Sequence, residues 1–446
     1  MLKHRCGSAI IALAMSAAWS AFAGLEGVAR AESTWLIEVH GRYRSSDDAL
    51  FPVNFPFSPS MIPAGQDGVF LRTVDPGQMW ELSAVNLHYE KTWRHATFFA
   101  KLDGIDLDDR NPTSSADAFD IDELWFLIGR DAEPAVVPAE AGAYFKFGKF
   151  PRFERQDDRH LQSYGVVATA FNRLEDVGVE VGVDLGRHLY LRASLTQGNP
   201  LFMRDTNALA GDNGTPELTV PNPTPEFNSG VVILYDADVH ELDFTHPEGS
   251  LGVGLRFADS TGDRGVDLLL WRNERQLAET VELDGTFYGG DLDLLLGPGN
   301  QFPYAVAGND KEEVGLNLWL YLGGFSLFAQ TVDQQVAGLD RVGAEVELAW
   351  RFDLPPAWAL GGQQVLPSLA PALRYSRLEP DFGAPPVTPS PSFSWDWEKL
   401  DYGLRIGLVG RSDLTVEYSD NTFTLASGRD VEIDEWLATW RLRFGS

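Results

Sequence analysis

Long segments of this chain alternate between apolar and polar residues, and this pattern restricts the fold more than any other feature. Residues 340–352, 399–409 and 435–444 carry apolar side chains at one set of alternate positions and mostly charged residues or glycine at the other. A period of two residues places the two sets on opposite faces of a β-strand. Several segments reach about ten residues, the length that a tilted strand needs to cross a bilayer. The pattern therefore predicts an all-β, membrane-spanning structure.

Composition and charge exclude two other classes of protein. Hydrophobic residues make up 44% of the 446-residue chain and charged residues 22%, which is typical of a folded protein. The formal net charge of −30 argues against a nucleic-acid-binding protein, because phosphate recognition needs a basic face. Beyond the N-terminal region no apolar run reaches about 18 residues, so spanning helices are excluded.

The N-terminal region predicts export from the cytoplasm. A short positive start at Lys3 and Arg5 precedes an apolar run over residues 9–22 and a small-x-small site at 29–31. This order is typical of a secretory signal peptide. We therefore predict that residues 1–31 are a signal peptide and that residues 32–446 form a single outer-membrane β-barrel domain.

The chain shows no signature of a cofactor, a metal site or a catalytic centre. Its single cysteine, Cys6, leaves with the predicted signal peptide, so no disulfide and no thiolate ligand is expected. The nucleophile elbow, the zinc-protease motif and the phosphate loop are missing from the sequence. We predict a protein that is not an enzyme and that holds no cofactor and no metal.

Short turns and long connections alternate along the chain. Tight links occur at residues 185–187, 323–324 and 410–413, whereas residues 45–79 and 198–248 are long and polar. Outer-membrane barrels show this asymmetry, with short periplasmic turns and long extracellular loops. The predicted strands are 35–44, 80–91, 94–104, 118–130, 141–150, 177–184, 188–197, 249–258, 265–273, 280–288, 291–296, 312–322, 325–333, 340–352, 366–378, 399–409, 413–422 and 431–444.

This reading predicts a transmembrane antiparallel β-barrel of about 18 strands, with both termini on the periplasmic side. Sixteen is the alternative, because the alternation is weakest between residues 265 and 296, and residues 229–246 are another source of strands. Trp436, Trp440 and Phe444 share one face of the last strand, and this resembles the C-terminal targeting signal of outer-membrane proteins. Outer-membrane lipid and lipopolysaccharide are the expected surroundings.

One stretch resembles a known group of proteins. Residues 144–153 read YFKFGKFPRF and are followed by Gly165, by FNR at 171–173 and by VGVE at 177–180. This stretch resembles large outer-membrane porins, with the phosphate-selective porin and alginate-export families as the nearest groups. The resemblance implies a passive channel of sixteen to eighteen strands in the outer membrane of a Gram-negative bacterium, with a pore lining that sets selectivity.

The segment 149–176 is the predicted constriction, because it concentrates arginine in an otherwise acidic chain. A guanidinium group binds carboxylate or phosphate through two parallel hydrogen bonds, so an inward loop of this composition would select anions or sugar acids. The alternative is a surface loop whose charges pair with one another. The candidate constriction residues are Lys149, Arg152, Arg155, Asp157, Asp158, Arg159 and Arg173.

Strand alternation assigns further charged residues to the lumen. Acidic and basic rows nearly balance, so the wall is mixed and the excess negative charge falls in the loops. Basic candidates are Arg42, Arg44, Lys101, Arg192, Arg256, Arg341, Arg351, Arg405, Arg441 and Arg443. Acidic candidates are Glu38, Glu180, Asp184, Asp267, Glu345, Glu347, Asp401, Glu417 and Glu435.

Three functions fit these features. The favoured one is a porin for passive diffusion of small charged or polar solutes. The second is a barrel that sheathes a partner protein in electron transfer or polysaccharide export, and it requires a lumen without a constriction. The third is a barrel enzyme. The composition does not identify the solute, the preference for anions or cations, or the oligomeric state. No nucleic-acid partner is expected.

Overall fold

In a computed structural model the alternating segments form one closed antiparallel barrel of sixteen strands. The structure describes residues 32–47, 50–53, 69–72, 77–106, 120–129, 137, 141–156, 159–163, 165–171, 175–198, 226–227, 244–259, 261–277, 307–356, 359–360, 362–382, 395–424 and 428–445. The predicted signal peptide lies outside these residues and stays a prediction.

The barrel strands follow one another in chain order. They are β1 (Glu32–Ser46), β2 (Gly77–Trp93), β3 (Ala96–Asp106), β4 (Asp120–Gly129), β5 (Gly142–Pro151), β6 (Glu175–Leu185), β7 (Leu189–Thr196), β8 (Glu248–Ala258), β9 (Arg264–Gln276), β10 (Asp310–Leu322), β11 (Phe325–Val336), β12 (Leu339–Trp350), β13 (Ser368–Asp381), β14 (Asp396–Gly407), β15 (Asp413–Thr424) and β16 (Asp430–Gly445). One short helix, α1 (Val166–Ala170), lies between β5 and β6.

Pairing between the first and last strands closes the barrel. β1 runs antiparallel to β16, with Ile37 opposite Phe444, and antiparallel to β2 on its other side. Closure removes the free strand edges that would otherwise expose unpaired backbone groups to lipid.

The strand count is the lower of the two sequence-based alternatives. β9 and β10 are hydrogen-bonded to each other along their whole length, from Arg264 opposite Leu322 to Gln276 opposite Asp310. The strands predicted at 280–288 and 291–296 therefore have no place in the barrel wall between them, and eighteen was wrong. Both segments lie outside the described residues. Of the segment 229–246, only residues 244–246 are described, and they are not in a strand.

The two ends of the barrel differ, as the connection lengths predicted. At one end, named the turn end, short links at residues 186–188, 323–324 and 408–412 join the strands, and both β1 and β16 have their outer termini there. The opposite loop end carries the connections 47–76 and 197–247, although the two-residue turn Ala337-Gly338 also lies there. By the rule for such barrels the turn end is periplasmic and the loop end extracellular.

The outer face is apolar and exposed. On β8 the outward side chains Leu251, Val253, Leu255 and Phe257 are 43–49% exposed. In a closed barrel such a surface is stable only against lipid, so the barrel is an outer-membrane structure of the Gram-negative type. Within the described part of the chain, no helix is long and apolar enough to cross a membrane.

A charge placed in this outer face should destabilise the barrel according to its depth. We expect Val253→Arg to lower the free energy of unfolding by about 2–4 kcal/mol, because Val253 lies near the middle of the apolar rows. Asp333→Arg is the control, since Asp333 is outward and exposed beyond the apolar row of β11, and it should cost at most about 1 kcal/mol. Urea unfolding from lipid vesicles measures both, and equal costs would contradict the assignment of the lipid face.

Candidate functional site: a loop inside the barrel

The connection between β5 and β6 folds into the lumen and reaches the opposite wall. This segment, named the lumen loop, comprises residues 152–171, of which 152–156, 159–163 and 165–171 are described. It follows Pro151 at the end of β5, and α1 near its far end packs against β11, β12, β13 and β14. The lumen loop therefore crosses the interior instead of lying over the mouth.

Polar contacts fix the first part of the lumen loop. The backbone carbonyl of Glu154 accepts hydrogen bonds from Asn317 Nδ2 at 2.6 Å and Gln330 Nε2 at 2.8 Å. Asn273 Nδ2 donates to the Glu154 carboxylate at 3.0 Å. These three amides lie on β9, β10 and β11, so wall side chains provide the partners that the loop backbone lacks.

Arg152 is buried in a charged network at the start of the loop. Its guanidinium pairs with Glu248 on β8 and lies 3.5 Å from the Glu154 carboxylate. Lys311 on β10 also lies 3.0 Å from Glu248. Burial by itself lowers the pKa of Arg152, but Glu248 and Glu154 raise that pKa more strongly, so the guanidinium stays charged.

Wall carboxylates bind backbone N–H groups in the second part of the loop. Glu347 accepts from the backbone N–H of His160 at 2.8 Å, and Glu417 accepts from that of Ser163 at 3.0 Å. Arg374 Nη2 donates to Ser163 Oγ at 2.6 Å. The far end of the loop is thus attached to β12, β13 and β15.

An arginine cluster lies below the loop at the turn end of the lumen. This exit cluster consists of Arg405, Arg441, Arg443, Asp413 and Glu38. Arg441 binds Asp413 through two hydrogen bonds of 2.9 and 2.8 Å, and Arg443 donates to the same carboxylate at 3.0 Å. Arg443 also pairs with Glu38. Three guanidinium groups therefore face two carboxylates, and the three arginine side chains are 10–22% exposed.

The remaining charged candidates are spread around the wall. Arg192 lies 3.7 Å from Asp184 and stacks over Tyr144 and Tyr190, with ring centroids at 5.0 and 4.7 Å. Arg341 donates to Gln334 at 2.8 Å. Glu345 is buried beside Gly165 of the lumen loop. All three side chains face inward, and each is engaged with a neighbour.

One candidate residue lies on the outer face, and another lies just beyond its strand. Arg351 follows the last residue of β12, its side chain is 62% exposed, and it pairs with Asp353, so it lies at the turn end and its inward assignment stays a prediction. Lys149 lies opposite Val177, in the outward row that contains Phe147, so it belongs to the outer face and not to a constriction. Arg155 pairs with Glu175 at the start of β6. Asp157, Asp158 and Arg173 lie outside the described residues.

Sequence reasoning missed several groups that hold the loop. Arg374, Glu248, Asp413 and Lys311 were not named, although each obeys the alternation of its strand. The signal for Arg374 was available, because Ala372 and Ser376 flank it in the same inward row. No pattern indicated that Glu154 itself would be buried against amides of the opposite wall.

A group of three carboxylates is the one place in the described chain that resembles a cation site. Oxygens of Asp122, Glu123 and Glu175 lie within 4.8 Å of one another. Lys101 and Arg155 already pair with Asp122 and Glu175. The group therefore belongs to an ion-pair network whose negative charge is largely compensated.

A serine, a histidine and a carboxylate form a row near the turn end. Ser326 Oγ lies 3.4 Å from His160 Nε2, and His160 Nδ1 lies 3.1 Å from Glu347. Hydrolases align a nucleophile, a base and an orienting carboxylate in this order. The contact between Ser326 and His160 is long for a hydrogen bond.

Comparisons with known proteins find likeness in solved structures alone. No protein-family profile matches the chain, and no curated protein matches it. The outer membrane channel DcaP of Acinetobacter baumannii is similar, with a TM-score of 0.48 and 10% identity over 93% of this chain and 97% of that one. OprB of Pseudomonas putida has a TM-score of 0.46 and 10% identity over 93% of this chain and 94% of that one. The outer membrane protein OpdK of Pseudomonas aeruginosa has a TM-score of 0.40 and 10% identity over 93% of this chain and 99% of that one.

Replacing Arg152 should destabilise the protein, because its carboxylate partners are buried. We expect Arg152→Met to lower the free energy of unfolding by about 3–5 kcal/mol, because Glu248 and Glu154 remain buried without it. The double variant Arg152→Met/Glu248→Leu should recover only part of that loss, because Glu154 stays buried and Lys311 loses a partner. Arg272→Met is the control, since Arg272 pairs with Glu312 on the exposed outer face, and it should cost at most about 1 kcal/mol. Urea unfolding measures the free energy of unfolding of each variant. An Arg152→Met protein as stable as the native protein would contradict the buried network.

Proposed function

We propose that the protein is an outer-membrane channel for passive diffusion of small charged or polar solutes, with the lumen loop as its constriction. The observation that carries this proposal is the attachment of residues 152–171 to the opposite wall of a closed barrel. A sixteen-stranded barrel is wide enough to hold a water-filled lumen, and a loop across it sets the width of the path.

Charge separation inside the lumen supports selection of charged solutes. The exit cluster presents three arginines against two carboxylates and is partly exposed. Deeper in the wall, Arg374 is buried between Asp401 and Glu347, at 2.8 and 3.6 Å. A solute therefore meets the partly exposed arginines of the exit cluster, and these favour anions such as carboxylates or phosphates.

The lumen loop favours a channel over a sheath. A sheath for a partner protein requires an open interior, whereas here the chain's own loop crosses from β5 to β12, β13 and β15. The partner-filled barrel remains the alternative that a silent, well-folded protein would indicate.

Conductance in a planar bilayer tests the proposal. We expect steps that scale with salt concentration and a reversal potential that moves toward cation preference in Arg405→Gln/Arg441→Gln/Arg443→Gln, because the exit cluster then loses its positive charge. The double variant Arg272→Ala/Arg377→Ala is the control, since both residues pair with carboxylates on the outer face. A folded protein without conductance would overturn the proposal, and an unchanged reversal potential in the triple variant would remove these arginines from the path.

The enzyme alternative has a specific test at Ser326. We expect the native protein not to react with a fluorophosphonate probe, because Ser326 Oγ lies 3.4 Å from His160 Nε2, farther than in the hydrogen bond that usually activates a serine. Mass spectrometry of the labelled protein is the measurement. Labelling that disappears in both Ser326→Ala and His160→Ala, with Ser419→Ala as the control, would contradict a channel without enzymatic activity.

A further inference from the structure

We infer that three glycines of the barrel wall, Gly252, Gly343 and Gly403, determine where the lumen loop sits and thereby set the width of the channel. The inference rests on the proposed channel function and names its width-determining residues. The three glycines, named the seat glycines, lie on β8, β12 and β14. They are therefore spread along the same wall that the loop contacts.

Each seat glycine leaves space that an apolar side chain of the loop fills. A Cβ atom added at Gly252 would lie 2.8 Å from Phe153, and one added at Gly343 would lie against the ring of Phe171. At Gly403 the added atom would overlap Leu161. The backbone at these glycines is not left-handed, so the requirement for glycine is one of space.

The fit is close and apolar in an otherwise polar interior. Leu161 and Phe171 are each 1% exposed. Leu161 packs with Ala349 and Ala372, which are small inward residues of β12 and β13. Arg341 lies 4.8 Å from the Phe171 ring. Small wall residues thus form shallow sockets, and contacts of this kind depend on shape and are not screened by salt.

Other glycines of the wall have a different role. The spaces at Gly182, Gly254 and Gly315 are filled by Tyr144, Tyr190 and Trp271, which are side chains of the barrel itself. Those glycines allow the wall to pack against its own aromatic residues. Within the described chain, the seat glycines differ from them in that the nearest side chain comes from the lumen loop, although Leu269 and Glu417 of the wall lie 3.0 and 3.2 Å from the atoms added at Gly252 and Gly403.

The outer face offers matched controls. Gly41 on β1 and Gly249 on β8 have no atom within 4 Å of an added Cβ, and neither has a left-handed backbone. Both point outward by the alternation of their strands. A valine at either position therefore adds the same bulk to a strand without touching the loop.

The experiment compares Gly343→Val and Gly403→Val with Gly41→Val and Gly249→Val. Liposome swelling with neutral sugars of increasing size gives the exclusion limit, and planar bilayers give the conductance; heat-modifiable gel migration shows that each barrel has folded. We expect the seat variants to raise the conductance at least about twofold and to admit larger sugars. A close-packed loop cannot absorb the added side chain in place, so the valine should displace the loop from its position across the lumen. The two control variants should have the conductance and the exclusion limit of the native protein at low and at high salt.

Two outcomes would overturn the inference. The first is native exclusion limits in both folded seat variants, and the second is an equal increase in the outward controls. If the seat variants do not fold, Leu161→Ala and Phe171→Ala remove the same contacts from the loop side and should widen the channel in the same way. Gly343→Val/Phe171→Ala should move back toward the native limit, since the valine then fills the space that the ring leaves.

Failure of the inference can be told apart from failure of the proposed function. If the native protein conducts and the seat variants behave like it, the role of the seat glycines is wrong and the proposed channel function stands. If the native protein is silent but the seat variants conduct, the seat glycines do position the loop, and the loop closes the lumen completely. Silence in all variants would overturn both.

Discussion

Pairing of β1 with β16 is the constraint on which the rest of the structure depends. Lipid offers no hydrogen-bond partners, so every backbone N–H and C=O of a spanning strand must pair with a neighbouring strand. The register between the first and last strands, with Leu36 opposite Gly445 and Ser46 opposite Glu435, satisfies the last two edges. Once the sheet is closed, alternate side chains have two destinations, lipid outside and the lumen inside.

The lumen loop converts this interior from a wide bore into a structured site. Two kinds of contact hold it, and they differ in physical character. Glu347 and Glu417 accept its backbone N–H groups and Arg374 binds Ser163, whereas Phe153, Leu161 and Phe171 fill space above glycines. The polar contacts satisfy groups that would be costly to bury unpaired, and the apolar contacts specify position through shape.

Much of the fold could be predicted from alternation and connection length, and the errors have local causes. Residues 280–296 alternate weakly, and a weak period of two does not distinguish a strand from an extended loop. The direct register between β9 and β10 is a long-range fact that no window of sequence contains. Lys149 belongs to the outward row of Phe147, and the basic composition of the segment obscured that.

The sequence by itself determined the closed β architecture, the apolar outer face and the mixed charge of the interior, because each follows from the identity of successive residues in a strand. It also indicated that residues 149–176 are unusual in composition. The tertiary structure alone decided which wall residues the lumen loop contacts. Arg152 forms an ion pair with Glu248, the backbone N–H of His160 donates to Glu347, and Leu161 packs against Gly403. Each pair joins a residue of the lumen loop to a strand far away in the chain, and the closed wall brings the two within contact distance.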